Sequence, residues 1–513
     1  MRTKLAVRNL VTGIALQIIT AVYGILIPRF FIALYGSAVN GLVSSLTQFI
    51  SYLSLVEAGL GTAVMIELYR PLAEDRRDEI NAMMCDAGRM YRKAGYAFLL
   101  LLSLLVLIYP SLVTGEMEDA AFVRTLILIL SVNPLVDFFL LGKYRALLMA
   151  AHRVYLFNIV QALGNTVVTL LSLLLMYGRH SVLEVKLAAA LVCVFRGLLV
   201  MGLARKHFPF LKLERKDFGH RFRKRGPVLL HQISGILCLN TDMALLTILT
   251  PVSPLMTVSV YSVYDLVAYA VQSAVNSFSD SALAGFGQMW AAGETEALRK
   301  SFHSYEFLYD IFIVWIYTCM AVLLYPFIRL YTEGLADREM YLSWTYAFLF
   351  VSAGLLRAIR NPANTLINAA GHYEETKWRS VTEAAINILL SLLLIPRLGI
   401  VGALIGTVCA YLYRAADVIG YSSTHFLSHA LPVTLRRLLR NLAAGALVCW
   451  AGIRTVVPLC SGWISWIAMA AGTALAAGLA LLAVNWMAER EETRALIRKL
   501  RRSLGKGGRN TAA

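Results

Sequence analysis

Charged residues are scarce in this chain of 513 residues. They make up 15% of it, whereas 58% of the residues are hydrophobic and the mean hydropathy is +0.65. Soluble domains average about 25% charged and about 45–50% apolar residues. Because the shortage of charge extends along the whole length, it excludes a soluble domain on a single anchor. The composition predicts an integral membrane protein.

Several spacings that would indicate cofactor or metal chemistry are also missing. The seven cysteines form no C-x-x-C pair, which excludes a zinc site or disulfide framework of the usual spacing. The "GLG" of Gly59–Gly61 lacks the further glycine of a dinucleotide fingerprint, and the "GKGG" of the tail lacks the Walker spacing. No nucleophile triad is visible. We therefore expect no enzyme activity, no catalytic residues, no metal and no cofactor, with any energy coming from an H⁺ or Na⁺ gradient, the membrane potential or the substrate gradient.

Apolar windows of about 20 residues, long enough to cross a bilayer as a helix, recur about fourteen times. They lie near 10–34, 41–66, 94–114, 123–142, 155–177, 184–204, 227–250, 257–282, 305–330, 341–359, 379–396, 399–419, 439–459 and 463–486. Only helices and closed barrels satisfy their backbone hydrogen bonds in lipid, and the windows lack the alternation of strands. The expected fold is an all-α integral membrane protein with about 14 transmembrane helices.

Acidic residues are outnumbered, with 31 Asp and Glu against 48 Lys and Arg, for a net charge of +17. With the N-terminus inside, roughly 39 of these basic residues fall on the inner side and about 8 on the outer side. The positive-inside rule then places both termini in the cytoplasm. The charge is explained by topology and attraction to anionic lipid, so we expect no nucleic-acid partner. The outer loops are all short.

The longest basic loop divides the spans into two sets of six. The predicted organisation is an N-terminal lobe (1–204), a basic cytoplasmic linker (205–225), a C-terminal lobe (226–420), two further helices (421–487) and a basic cytoplasmic tail (488–513). Two sets of equal size indicate pseudo-symmetric lobes, as in many secondary transporters.

Polar residues recur at steps of three or four in spans 2 and 8. The stripe in span 2 contains Ser44, Thr47, Gln48, Ser51, Ser54 and Glu57, and the stripe in span 8 contains Ser262, Asp265, Tyr269, Gln272, Asn276 and Asp280. Such spacing places each stripe on one helix face. A polar face inside a bilayer contacts protein or a water-filled cavity. The stripes therefore predict a polar cavity, with hydrogen bonding between packed helices as the alternative.

The segment "GILIPRFFIALYGSAVNGLVSSLTQFISYLSLVEAGLGTAV" (residues 24–64) resembles the opening signature of polysaccharide transporters, the Wzx-type oligosaccharide flippases. "TDMALLTIL", "VSVYSVYDLVAYAV" and "RLGIVGALIGTVCAYL" agree with it more loosely. The similarity extends over most of the chain. The wider superfamily also contains lipid II flippases and multidrug and toxin extruders. The resemblance implies a fourteen-helix fold whose two six-helix lobes enclose a cavity that opens alternately to each side.

The resemblance also implies a function. A protein of this family lies in the bacterial plasma membrane and moves undecaprenyl-diphosphate-linked oligosaccharides from the inner to the outer leaflet. The products supply surface polysaccharide assembly, so the implied partners are that lipid, the bilayer, and polysaccharide polymerase and assembly proteins. A lipid II flippase and a multidrug cation antiporter remain as alternatives. A membrane-embedded sugar polymerase is disfavoured by the short outer loops.

An anionic headgroup requires cations within the membrane. The candidates are Arg29 and Arg196, with Arg357 and Arg360 as a further pair. Arginine suits phosphate because its planar fork donates two hydrogen bonds and keeps its charge. Arg29 and the pair alternatively reach the headgroup layer. Arg196 lies nearer the span centre, where its alternative is pairing with a carboxylate, either Asp137 or Glu184.

The remaining candidates are acceptors and hydrogen-bonding groups. For sugar binding we expect Gln48, Ser51, Ser54, Gln272 and Asn276, and for ion coupling or charge pairing Glu57, Asp137, Asp242 and Asp265. Glu57 is the most informative of these, because a charged carboxylate facing lipid costs about 2.5–3.5 kcal/mol on insertion scales. We expect it to hold a cavity arginine or to take up a cation or proton.

Overall fold

The computed structural model describes residues 2–113, 119–211, 241–427, 431–492 and 494. These residues form helices and contain no strand, and thirteen of the helical stretches are long and apolar enough to cross a membrane. The all-α membrane fold is thereby confirmed. The thirteen stretches match thirteen of the predicted windows, and the other, at 227–250, lies largely outside the described residues.

The chain forms two compact units. Unit 1 contains Met1–Leu266 with Gly334–Ala336 and Ser391–Ala403. Its helices are α1 (Arg2–Tyr35), α2 (Ser37–Leu53), α3 (Leu60–Ala73), α4 (Arg77–Leu112), α5 (Ala120–Val136), α6 (Gly142–Ala150), α7 (Val154–Tyr177), α8 (Val182–His207), α9 (described over 241–249) and the start of α10 (Pro254–Ala291). α1 packs along α7, while α5 and α7 pack against α8.

Unit 2 contains Val267–Glu333, Asp337–Leu390 and Leu404–Ala513. It takes the rest of α10, then α11 (Thr295–Tyr331), α12 (Arg338–Tyr341), α13 (Trp344–Ile359), α14 (Asn361–Ala370), most of α15 (Tyr373–Leu398) and α16 (Ile400–His425), α17 (Leu431–Leu459) and α18 (Trp463–Ala488). Helix α11 packs against α13, α17 and α18. The predicted lobe boundaries stay a prediction.

Side-chain burial fits a membrane setting. The core of unit 1 includes Leu42, Leu46, Phe98 and Leu126, all fully buried. Large apolar side chains also cover the outside, and Leu174 is 67% exposed. In water such a surface would be costly, at about 25 cal/mol per Å² of apolar area. In a bilayer the same side chains contact lipid tails.

Two transmembrane stretches of unit 1 are interrupted. Between α2 and α3 the chain forms a 3₁₀ turn (Ser54–Glu57), and Gly59 follows with a left-handed φ of 76°. A residue with a Cβ is strained there, so glycine allows the chain to leave one helix and start the next. Between α5 and α6 the chain widens into a π-helix (Asp137–Leu141). Each interruption contains a carboxylate. Glu57 is the last residue of the 3₁₀ turn, and Asp137 is the first residue of the π-helix.

Ion pairs between side chains join the last two long helices, α17 and α18, at one end. The guanidinium of Arg437 on α17 donates to both oxygens of Glu489, just beyond α18, and Arg440 donates to Glu489 Oε1 at 2.9 Å. Arg440 also binds Asn485, whose amide donates to Asn441 at 2.7 Å. These hydrogen bonds fix α17 against α18 where the side chains are largely buried.

Candidate functional site

A cavity of about 370 Å³ lies within unit 1. Helices α1, α2, α8 and α9 surround it. Its lining consists of Tyr23, Gly24, Ile27, Pro28, Phe31, Asn40, Val43, Ser44, Thr47, Gln48, Lys186 and Met243. Half of the polar stripe predicted for span 2, from Ser44 to Gln48, therefore faces this cavity. None of the described residues that line it is acidic.

Two hydrogen-bond donors at this cavity lack an acceptor among the described residues. The Nε2 atom of Gln48 is buried there without a hydrogen-bond partner. The ammonium of Lys186 lies 4.5 Å from the centre of the Phe31 ring, and that cation–π contact is its interaction with the described residues. By contrast, the Asn40 amide donates to Ser259 at 2.8 Å. The cavity thus presents a positive charge to any ligand, and the buried amide of one of its lining residues, Gln48, is unsatisfied among the described residues.

Glu57 meets an arginine that the sequence analysis did not single out. Arg145 on α6 donates to Glu57 Oε1 at 3.0 Å, and its other terminal nitrogen lies 3.8 Å from Asp137 Oδ1. The three side chains are 17–33% exposed. All three lie in or just beyond a helix interruption, so the cluster joins the break at Glu57 to the π-helix at Asp137. One arginine here serves two carboxylates.

Tyr91 on α4 fits beside this cluster because two neighbouring positions are glycine. A Cβ added at Gly142 would lie 2.3 Å from the ring of Tyr91, and one added at Gly61 would lie 3.2 Å from its hydroxyl. The ring is 1% exposed. Alanine at Gly142 would therefore displace Tyr91 or the π-helix.

The predicted cations take different positions in unit 1. The Arg196 side chain packs against Gly164, where an added Cβ would lie 2.8 Å from the arginine Cδ. Arg196 donates to the side-chain oxygens of Asn165 at 3.2 Å and Asn133 at 3.3 Å. It also donates to Cys193 Sγ at 3.5 Å, so its hydrogen bonds go to neutral groups, while the alternative partner Glu184 binds His180 at 2.8 Å. Arg29 is half-buried and follows Pro28, which lines the cavity, although Arg29 itself does not.

The other sugar-binding candidates divide between exposed and hydrogen-bonded positions. Ser51 is exposed, and the Ser54 hydroxyl donates to the carbonyl of Ile50 at 2.9 Å. In unit 2, Gln272 donates to Asn276 at 2.9 Å and accepts from Tyr317 at 3.0 Å. The first of these bonds lies within α10, and the second, from Tyr317 on α11, is the kind expected from the alternative of hydrogen bonding between packed helices.

The two remaining carboxylate candidates lie in unit 1. Asp242 on α9 is 6% exposed and accepts a hydrogen bond from Tyr261 on α10 at 2.9 Å. Asp265 is half-buried on α10. Neither carboxylate lines the cavity.

Unit 2 contains a buried ionic network. Glu383 on α15 contacts Arg360 and Arg414, and Asp417 on α16 contacts Arg379 and Arg414. The Arg414 side chain is 4% exposed. Three arginines thus alternate with two carboxylates across three transmembrane stretches. Each charge has a partner, so we assign this network to packing of α14, α15 and α16.

Arg145 and Lys186 are the residues that the sequence reasoning missed. Arg145 falls three positions beyond the predicted span 123–142, although Asp137, Leu141 and Arg145 share the four-residue step of one helix face. Lys186 is the basic residue of the apolar window "VLEVKLAAALV", a signal that was available. In the described part of the chain, no group of three or more His, Cys, Asp and Glu could hold a metal ion.

No protein-family model matches the sequence, and no curated protein matches it. The structure is similar to that of the lipid II flippase MurJ in an inward closed conformation, with a TM-score of 0.68, 14% identity, and coverage of 94% of this chain and 99% of that chain. It is also similar to an inward-facing multidrug resistance transporter of the MATE family of the MOP superfamily, with a TM-score of 0.61, 13% identity, and 81% and 96% coverage. A Vibrio cholerae MATE transporter, VcmN in the bent form, gives a TM-score of 0.52, 16% identity, and 84% and 99% coverage.

These similarities establish the fold. The chain has the multi-pass helical fold shared by the MurJ flippase and the MATE transporters. The expected multi-pass helical fold is thereby confirmed, while the resemblance to oligosaccharide flippases and their superfamily stays a prediction.

Proposed function

We propose that this protein is a flippase that carries an undecaprenyl-diphosphate-linked oligosaccharide across the bacterial plasma membrane by alternating access. The oligosaccharide would enter surface polysaccharide assembly. Both termini would lie in the cytoplasm, as the distribution of basic residues predicts.

The observation that carries this proposal is the extent of the structural match. The flippase chain aligns with 94% of this chain, whereas the two MATE chains align with 81% and 84% of it while using 96% and 99% of their own length. This chain therefore has more helical structure than the MATE fold accounts for and about as much as the flippase has. A lipid-linked sugar is the cargo class to which that comparison points.

The chemistry of unit 1 supports an anionic cargo. The cavity is lined by Lys186 and by amide and hydroxyl side chains, and its described lining contains no carboxylate that could attract an organic cation. Amides and hydroxyls both donate to and accept from sugar hydroxyls. Glu57 and Asp137 share the single cation Arg145, and neither carboxylate lines the cavity.

Two other functions fit the same fold. Lipid II is a second lipid-linked diphosphate, and the MurJ structure favours it as the cargo. The MATE structures favour a multidrug transporter. The three functions differ in the compound that accumulates when the protein is lost.

The test is depletion of the protein in its native host, followed by extraction of lipid-linked glycans and mass spectrometry. We expect a diphosphate-linked oligosaccharide to accumulate with its sugar accessible from the cytoplasmic leaflet, and wild-type protein supplied from a plasmid to reverse this. Accumulation of lipid II instead would identify a lipid II flippase. Unchanged glycans combined with increased sensitivity to cationic dyes would contradict the proposal and favour the multidrug transporter.

A further inference from the structure

We propose that the cavity of unit 1 is a binding site for a phosphate or diphosphate group, with Lys186 supplying the charge and Gln48 a hydrogen bond. In the transported lipid this group would be the diphosphate, and that identification rests on the proposed function. The site is assigned from its own geometry and involves none of the predicted arginines.

Lys186 carries the first part of the argument. A cation that is withdrawn from water loses its hydration free energy. Only an opposite charge or well-placed hydrogen-bond acceptors compensate for that loss. A single aromatic face returns a small part of that loss. Among the described residues, the Phe31 ring at 4.5 Å is the partner of Lys186, and no carboxylate of these residues forms an ion pair with it. A bound anion would supply the missing charge.

Gln48 carries the second, independent part. Buried amide donors are almost always hydrogen-bonded, because an unsatisfied buried donor costs its full desolvation. The Nε2 atom of Gln48 is buried without a hydrogen-bond partner among the described residues, and Gln48 lines the same cavity as Lys186. Two different helices, α2 and α8, thus each contribute to the lining of this cavity a residue whose donor lacks an acceptor among the described residues. Both donors require an acceptor, and an anionic oxygen serves both.

The size and lining of the cavity specify the class of anion. Its volume of about 370 Å³ is ample for a diphosphate together with an attached group. Lysine is a common phosphate ligand that acts as a point charge. The apolar side of the lining, which includes Ile27, Val43 and Met243, suits a lipid that continues beyond the headgroup.

The place of the cavity along the helices indicates when it would be filled. Phe31 lies four residues before the end of α1, and Lys186 is the fifth residue of α8. Both helix ends point to the same membrane surface, which is the outer one in the orientation that the basic loops predict. The site would then receive the headgroup late in transport, before its release to the outer leaflet.

The test measures binding to the purified full-length protein in detergent by native mass spectrometry. The probes are undecaprenyl diphosphate, the uncharged undecaprenol, inorganic pyrophosphate and phosphatidylglycerol. The variants are Lys186→Ala, Lys186→Gln and Gln48→Ala. Lys143→Ala is the matched control, because Lys143 is also half-buried and stacked on an aromatic ring, that of Tyr144, at 5.1 Å.

We expect both Lys186 variants to weaken binding of undecaprenyl diphosphate by at least about tenfold, the usual effect of losing a charged hydrogen bond. Gln48→Ala should weaken it several-fold, and Lys143→Ala should leave it unchanged. Undecaprenol binding should not depend on Lys186. Competition by pyrophosphate alone would support a site for the diphosphate group itself. Equal binding of phosphatidylglycerol with the same dependence on Lys186 would keep the anion site and assign it to a bilayer lipid.

A second measurement does not depend on the folding of variants. Acetylation of Lys186 in the wild-type protein, read by peptide mass spectrometry, should slow when undecaprenyl diphosphate is present, while acetylation of Lys143 should not. Unchanged Lys186 acetylation, or unaltered binding in both Lys186 variants, overturns the inference. Full complementation of depleted cells by Lys186→Ala would overturn it while leaving the flippase function intact. Lys186-dependent binding without glycan accumulation on depletion would contradict the flippase function while leaving the anion site intact.

Discussion

Replacing Arg145 by methionine should destabilise unit 1 markedly, because it leaves two carboxylates without their cation. At 4 Å two unit charges interact by about 4 kcal/mol at an effective dielectric constant of 20, and the measured distances are 3.0 and 3.8 Å. Removing one partner of a buried ion pair costs about 3–5 kcal/mol. Since these side chains are 17–33% exposed, we place Arg145→Met toward the lower limit, at about 3 kcal/mol.

A double-mutant cycle separates this pair energy from general damage. Glu57→Gln removes the charge but keeps an acceptor, so it should cost about 1–2 kcal/mol. The double variant should cost less than the two single variants together, by about 1–2 kcal/mol, because the neutral amide that replaces the carboxylate no longer needs the cation.

The assay is denaturant unfolding of the purified protein in mixed micelles, monitored by tryptophan fluorescence. Arg70→Met is the matched control, since Arg70 also binds a glutamate at 2.9 Å but is 79% exposed, where an ion pair contributes about 0–1 kcal/mol. Single effects that add to within about 0.3–0.5 kcal/mol would refute a direct Glu57–Arg145 interaction.

In cells, Glu57→Gln should also impair transport strongly while Glu57→Asp keeps part of it. Normal transport by the Gln variant would leave Glu57 as a packing residue.

Three further outcomes are expected. Gly41→Ala should cost more than about 3 kcal/mol of stability or prevent folding, because the added Cβ would lie 1.7 Å from the carbonyl oxygen of Leu255. Gly24→Ala is the control: nothing lies within 4 Å of its added Cβ, so it should be tolerated in the same unfolding assay. A cysteine at Ser253 should react with an impermeant reagent added outside intact cells, and one in the α3–α4 loop should not; the reverse would overturn the orientation. Although burial alone would raise it, hydrogen bonds from two arginines hold the pKa of Glu489 below its usual 4.5, so its stabilisation is present above pH 4.5 and lost as the pH falls through that lower value. The thermal midpoint of the wild type should therefore fall more steeply below pH 4.5 than that of Glu489→Gln, and parallel curves would contradict the assignment.

The transmembrane layout could be predicted from the sequence because the physics behind it is local. Bilayer thickness sets the length of a span, and the apolar content of about 20 successive residues decides whether that span enters lipid. Thirteen of the predicted windows accordingly match helices of the structure. The polar stripe of span 2 was also readable, because side chains at steps of three or four share a face of any helix.

Which residues meet each other was decided by tertiary structure. Glu57 and Arg145 are separated by 88 positions in sequence, and their contact depends on a 3₁₀ turn ended by Gly59 and on a π-helix that begins at Asp137. Hydropathy does not register such interruptions, because they change backbone geometry without changing composition. The pairing of Lys186 with Gln48 around one cavity has the same origin. A charge in an apolar window is visible in the sequence, but the helix that supplies its neighbour is chosen by packing between segments far apart in the chain.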